Sequence, residues 1–99
     1  MTWHKVASAD ELAEGDLKRV AAAGSVVVLV RIGDHFCVLD ARCPHMGGPL
    51  AEGTIENGRL VCPWHGREYD PLTGHCDGYA ESARTFPVEV RSDGIYAAL

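Results

Sequence analysis

Four side chains in two short segments could do chemistry together. Cys43-Pro44-His45 and Cys62-Pro63-Trp64-His65 each offer one thiol and one imidazole, and sixteen residues, Met46 to Val61, separate them. Thiolates are soft, strongly donating ligands for zinc and for iron–sulfur clusters, and imidazole suits zinc and iron. A Cys-x-His pair is too tightly spaced for a helix to aim both side chains at one metal, so each segment reads as a loop tip. Glycines follow both pairs, in Met46-Gly47-Gly48-Pro49-Leu50 and Gly66-Arg67-Glu68-Tyr69-Asp70. Glycine lets backbone N–H groups come close to ligand sulfurs. Pro44 and Pro63 stiffen the loops and remove an amide after each Cys. Two metal centres fit two Cys and two His: a structural zinc, or an iron–sulfur cluster with mixed ligation. Zinc modules group like ligands, C-x₂₋₄-C with H-x₃₋₅-H, whereas each pair here is mixed. Four ordinary core or loop residues would leave the matching Gly and Pro tails unexplained.

The pattern C-x-H-x16-C-x-x-H with these tails resembles the Rieske family, and within it the small Rieske-type ferredoxins that feed electrons to oxygenases. The resemblance runs from about Trp3 to Leu99, with its specificity in residues 43–70. It implies one [2Fe–2S] cluster per chain, held by Cys43, His45, Cys62 and His65, with the imidazoles at the edge where electrons leave. It implies Met46, Gly47, Gly48, Trp64, Gly66, Arg67 and Tyr69 as the residues that surround and tune the cluster. High-potential relatives carry an extra Cys in each loop, joined as a disulfide. Gly47 or Gly48 and Trp64 stand there, so no such bridge can form. Arg67 stands where those relatives carry a Ser that hydrogen-bonds a bridging sulfide, whereas Tyr69 matches their tuning Tyr. These departures imply a midpoint at the low end of the Rieske range. The proline-rich loop that usually shields the cluster is also missing; the nearest stretch is Cys76-Asp77-Gly78-Tyr79-Ala80, where Tyr79 could cover the site. Trp64 is either a docking residue or a wedge between the loops, and docking is the favoured reading.

Ninety-nine residues make one domain, read as a single Rieske domain over 1–99 with the cluster-binding subdomain at about 42–70. Hydrophobic content of 46% and seven aromatic residues suit a folded core. A formal net charge of −5 argues against nucleic-acid binding and suits an electron carrier steered to basic patches. Met1 to Asp10 has no apolar core of a secretory signal. The longest apolar run, Val20 to Val30, is too short to span a bilayer. A soluble, cytoplasmic protein with no membrane partner is expected. Its implied partners are an NAD(P)H-dependent flavoprotein reductase and a terminal oxygenase, with no catalysis by the chain itself. A subunit of a larger nitrite-reductase-like complex, a redox sensor and a zinc module are the alternatives.

The elements around the loops read as all-β: the antiparallel sandwich that the resemblance implies, with a small inserted subdomain. Ser8-Ala9-Asp10-Glu11 is a capping-box pattern and predicts a helical turn over 9–14. Leu17 to Ala22 predicts a strand, turning at Ala23-Gly24. Val26 to Arg31 is a continuous β-branched run, hence a buried strand. Gly33-Asp34 turns the chain into a return strand, Phe36 to Asp40, that delivers it to Cys43. Asn57-Gly58 predicts a hairpin between Thr54–Glu56 and Arg59–Val61, which brings the second loop beside the first. Asp70 to Gly74 predicts a turn. Thr85 to Arg91 and Ile95 to Leu99 predict a last hairpin around Ser92-Asp93-Gly94, with Pro87 at an edge or bulge. Cys37 reads as a small buried hydrophobe, Cys76 as a loop residue, and a Cys37–Cys76 disulfide is disfavoured in a reducing compartment. His4, His35 and His75 read as surface residues.

Overall fold

The computed structural model describes residues 2–44, 46–64 and 66–99. Among the described residues ten strands follow one another: β1 (Trp3–Ala7), β2 (Leu17–Ala22), β3 (Ser25–Ile32), β4 (His35–Asp40), β5 (Thr54–Glu56), β6 (Arg59–Val61), β7 (Glu68–Tyr69), β8 (Thr85–Phe86), β9 (Val88–Arg91) and β10 (Gly94–Ala98). One 3₁₀ turn, Leu50–Glu52, precedes β5. No helix among the described residues is long and apolar enough to cross a membrane.

The strands form three antiparallel sheets, ordered β1-β10-β9, β2-β3-β4-β8 and β5-β6-β7. The four-stranded sheet is the middle layer, and the burial of β3 shows why. Val27, Val28, Leu29 and Val30 are all fully buried. Val27 and Leu29 pack with Val6, Leu12, Val38, Ile95 and Ala97. Val28 and Val30 point the other way and pack with Cys37, Leu39, Leu50, Leu60 and Tyr69. One face therefore meets the β1-β10-β9 sheet and the other meets the segment that carries the two Cys loops. A strand covered on both faces reads as a continuous apolar run rather than an alternation. In β4 the same alternation sends Val38 to the first side and Cys37 and Leu39 to the second.

The expected strands and hairpins at 17–40 and 54–61 are present with their register intact. Three expectations about local structure need correction. Residues 9–14 form turns and not a helical turn. Glu11 does accept the Ser8 N–H through its carboxylate at 2.9 Å, but the backbone closes only a tight turn, Glu11 N–H to Ser8 carbonyl at 3.2 Å. The segment 85–91 is two strands and not one. β8 pairs with β4 and β9 pairs with β10, and Pro87 sits at the crossing, where a residue without an N–H costs no ladder bond. The last hairpin turns on Ser92-Asp93 alone, since Gly94 already pairs with Arg91. Cys76, read as a loop residue, lies outside the strands and is fully buried in the inner cluster. Cys37 is buried as expected, and burial pushes its thiol up to about 11. Neither forms a disulfide.

After β7 the chain turns at Pro71–Gly74 and runs back beside β7. The Gly74 N–H donates to the Asp70 carbonyl at 2.7 Å, and the Ala83 N–H donates to the Gly74 carbonyl at 2.8 Å. Gly74 has φ 79, and a Cβ there would lie 2.0 Å from the Ala83 carbonyl oxygen. Gly33 also has a positive φ, 59, but faces open space. A positive φ alone costs a substituted side chain roughly 1–2 kcal/mol. Gly33→Ala should lose about that much in urea unfolding, and Gly74→Ala clearly more. Equal losses would contradict the close approach of 74 to 83.

Candidate iron–sulfur site

The two Cys loops have the same backbone construction. The Cys43 N–H donates to the Gly48 carbonyl at 2.7 Å, and the Cys62 N–H donates to the Arg67 carbonyl at 2.9 Å. The Gly47 N–H donates back to the Cys43 carbonyl at 2.9 Å, and the Gly66 N–H to the Cys62 carbonyl at 3.0 Å. Gly47 and Gly66 share a left-handed φ, 71 and 70. In each loop, then, the fifth residue after Cys closes the ring and a left-handed Gly at the fourth makes the bend. Met46 also takes a positive φ, 65, and is 69% exposed.

Both loops are anchored in the inner core. The first leaves β4 and is tied by the bridge between Arg42 and Pro49. Leu50 just beyond is fully buried. The second is held between β6 and β7, through the pairs Leu60↔Tyr69 and Val61↔Glu68. Truncating a buried Leu such as Leu60 costs about 2–5 kcal/mol, so these anchors carry the loops. Thus the hairpin at Asn57-Gly58 does place one loop beside the other.

Contacts at Tyr69 and at Gly48 join the loops. The Tyr69 hydroxyl and Cys43 Sγ share a hydrogen bond of 2.8 Å in the buried interior. Burial, and then the Cys43 thiol, hold the Tyr69 phenol well above its ordinary range. Gly48 of the first loop lies against Cys62 of the second. A Cβ on Gly48 would stand 2.9 Å from Cys62 Sγ and 3.2 Å from the Trp64 indole. Trp64 thus crosses Gly48 and still leaves 55% of its surface exposed: it is a wedge on one side and an open face on the other.

The Arg67 side chain is largely buried, turns to Tyr79 and Glu81, and carries its charge near Cys76. Its guanidinium lies 3.7 Å from the centre of the Tyr79 ring and pairs with Glu81. It straps the segment 76–81 to the second loop. Tyr79 is half-exposed, and it covers Arg67. Arg59 adds ion pairs to Asp77 at 2.9 Å and Asp70 at 3.6 Å, both open to solvent in part and worth little alone. The motif reading missed Cys76. It bridges Tyr69 across the β7 edge and is buried beside it; no spacing rule marks it. His4 is half-buried, whereas His35 and His75 are exposed as expected.

His45 and His65 lie outside the described residues. Among the described residues no three His, Cys, Asp or Glu side chains form a metal-holding group. What the described part offers is two thiols, each 2% exposed, on twin loops. Buried soft donors, a hydroxyl beside one sulfur and a glycine cleared beside the other fit an iron–sulfur cluster.

Comparison with known proteins agrees. The model of the Rieske [2Fe-2S] domain matches residues 2–89. Ferredoxin CarAc of Metapseudomonas resinovorans is 33% identical over 97% of this chain and 92% of its own length. Apoptosis-inducing factor 3 of Homo sapiens is 32% identical over 87% of this chain, which spans only 14% of that protein. A chain in the complex of reduced oxygenase and oxidized ferredoxin in carbazole 1,9a-dioxygenase superposes with TM-score 0.89 and 30% identity, covering 97% of this chain and 92% of that one. The chain belongs to the Rieske [2Fe–2S] domain family, and its cofactor is a [2Fe–2S] cluster.

Proposed function

We propose that this chain is a soluble, cytoplasmic one-electron carrier, taking electrons from an NAD(P)H-dependent flavoprotein reductase and delivering them to a terminal oxygenase. We read it as one Rieske domain over 1–99, with residues 42–70 as its cluster-binding part. The observation that carries this is the pair of twin loops with buried thiols, cross-tied by Tyr69 and Gly48 and flanked by open apolar faces at Met46 and Trp64. The similarity to a ferredoxin along nearly all of both chains supports the carrier reading.

Cys43 and Cys62 hold one iron and His45 and His65 the other in this reading; the two His enter on sequence alone. The bound cluster supplies a one-electron couple, with His ligation raising its potential above that of all-Cys clusters. The protein's part is to seal and tune. With Cys43 as a thiolate, Tyr69 must be the donor of their hydrogen bond, because a thiolate only accepts. Arg67 and Tyr79 close one flank. Trp64 and Met46 present an apolar contact to a partner. The midpoint falls at roughly −150 to 0 mV, the low end of the Rieske range.

Two outcomes follow from this arrangement. An acidic carrier steered to basic patches should transfer electrons to the oxygenase roughly tenfold more slowly as ionic strength rises from about 0.01 to 1 M. A rate flat in salt would favour an apolar contact through Trp64. The hydrogen bond from Tyr69 stabilises the reduced state more, because the ligand sulfur is then more negative. Tyr69→Phe should therefore lower the midpoint by roughly 20–65 mV, the one-electron equivalent of one hydrogen bond. Voltammetry at a single pH checks it, and an unchanged midpoint would mean that backbone amides alone set the potential.

A further inference from the structure

The chain carries 14 carboxylates against nine Lys and Arg, yet its unpaired cations gather in one place. Lys18, Arg31, Arg59, Arg67 and Arg91 each face a carboxylate within ion-pair distance. Lys5, Arg19, Arg42 and Arg84 have no such partner among the described residues. Three of these four, Arg19 on β2, Arg42 after β4 and Arg84 before β8, line one hollow of about 540 Å³. All three are exposed. The one carboxylate there, Asp40, already accepts the Arg42 N–H through Oδ1 at 2.9 Å. Three cations therefore face one partly engaged anion.

Their placement is built in. The Asp40 N–H donates to the Arg84 carbonyl at 2.8 Å, and the Ala41 N–H donates to the Val26 carbonyl at 3.2 Å. The Arg84 guanidinium lies over the Phe86 ring at 4.8 Å. Backbone positions set by the sheet need not be ordered on binding. A second hollow, about 350 Å³, shares Asp40, Arg42 and Arg84 and continues to Cys43, Pro44 and Gly47. The two together make a basic groove running from the β2–β3 hairpin to the first Cys loop.

We propose that this groove docks a carboxylate-rich segment of a redox partner protein. Guanidinium forks match carboxylates in pairs. Guanidinium groups from three separate segments suit an extended acidic chain better than one small anion, and the groove ends beside Cys43, where a redox partner must sit. The partner identity rests on the carrier reading above; the acidic chemistry of the occupant does not. With the rest of the chain net negative, a basic groove gives the carrier regions of both signs, which orients an encounter as well as attracting it.

The test is titration of the full, cluster-loaded chain with an oligoglutamate peptide and, separately, with inorganic phosphate, for wild type and an Arg19→Glu/Arg84→Glu variant whose visible spectrum matches wild type. The peptide should bind wild type more tightly than phosphate does, and the variant at least tenfold more weakly. An Arg19→Lys/Arg84→Lys variant should keep most of the binding. No peptide binding by wild type, or binding undiminished in the charge-reversed variant, would overturn the proposal. Phosphate bound as tightly as the peptide would make this a small-anion site and overturn it too. Failure of wild type to pass electrons to any oxygenase would instead overturn the carrier reading alone.

Discussion

The hydrogen bond between the Tyr69 hydroxyl and Cys43 Sγ is the contact on which the rest of this site depends. Tyr69 belongs to β7, the strand that closes the second Cys loop, and Cys43 opens the first. A buried phenol left without a partner would cost about 1–3 kcal/mol. The chain holds the Tyr69 hydroxyl between Cys43 and Cys76, so one phenol ties the first loop to the strand that closes the second. The contact is therefore a clasp for the loops and, in the function proposed above, a donor to a ligand sulfur.

That clasp needs a floor, which the middle sheet provides. β3 and β4 are covered on both faces. The face bearing Val28, Val30 and Leu39 supports Leu50, Leu60 and Tyr69, the residues behind the loops. The opposite face is finished by β1 and β10, the two ends of the chain. Cluster-free protein would therefore retain a supported base, because the second face does not depend on the loops. Arg67 shows how a substitution at a familiar position finds other work: its backbone closes the loop, and its side chain straps down Tyr79 and Glu81.

Local turn chemistry made much of this legible in the sequence. Asn57-Gly58 and Gly33-Asp34 specify hairpins by their backbone preferences alone, and both stand where expected. The two Cys loops were legible because ligand type, spacing and flanking glycine act over only a few residues. Non-local effects were not legible. β1 escaped notice because Trp3–Ala7 is short and is made a strand by pairing with β10, at the other end of the chain. Cys76 looked like a loop residue between glycines, and only the return of the chain beside β7 buries it. Ser8-Ala9-Asp10-Glu11 carries a helix-start signal, but no apolar periodic stretch follows it, so its hydrogen bonds close a turn instead. The convergence of Arg19, Arg42 and Arg84 is equally invisible in a linear reading.

The central claim, that these twin loops hold a [2Fe–2S] cluster, is tested most directly by metal and acid-labile sulfide analysis of the purified chain, alongside a Cys43→Ser variant. The account requires two irons and two sulfides per chain, with zinc absent, and loss of both iron and sulfide in the variant while the strand signal in circular dichroism persists. A colourless wild type with one zinc and no labile sulfide, or a Cys43→Ser variant that retains the full iron and sulfide content, would contradict it.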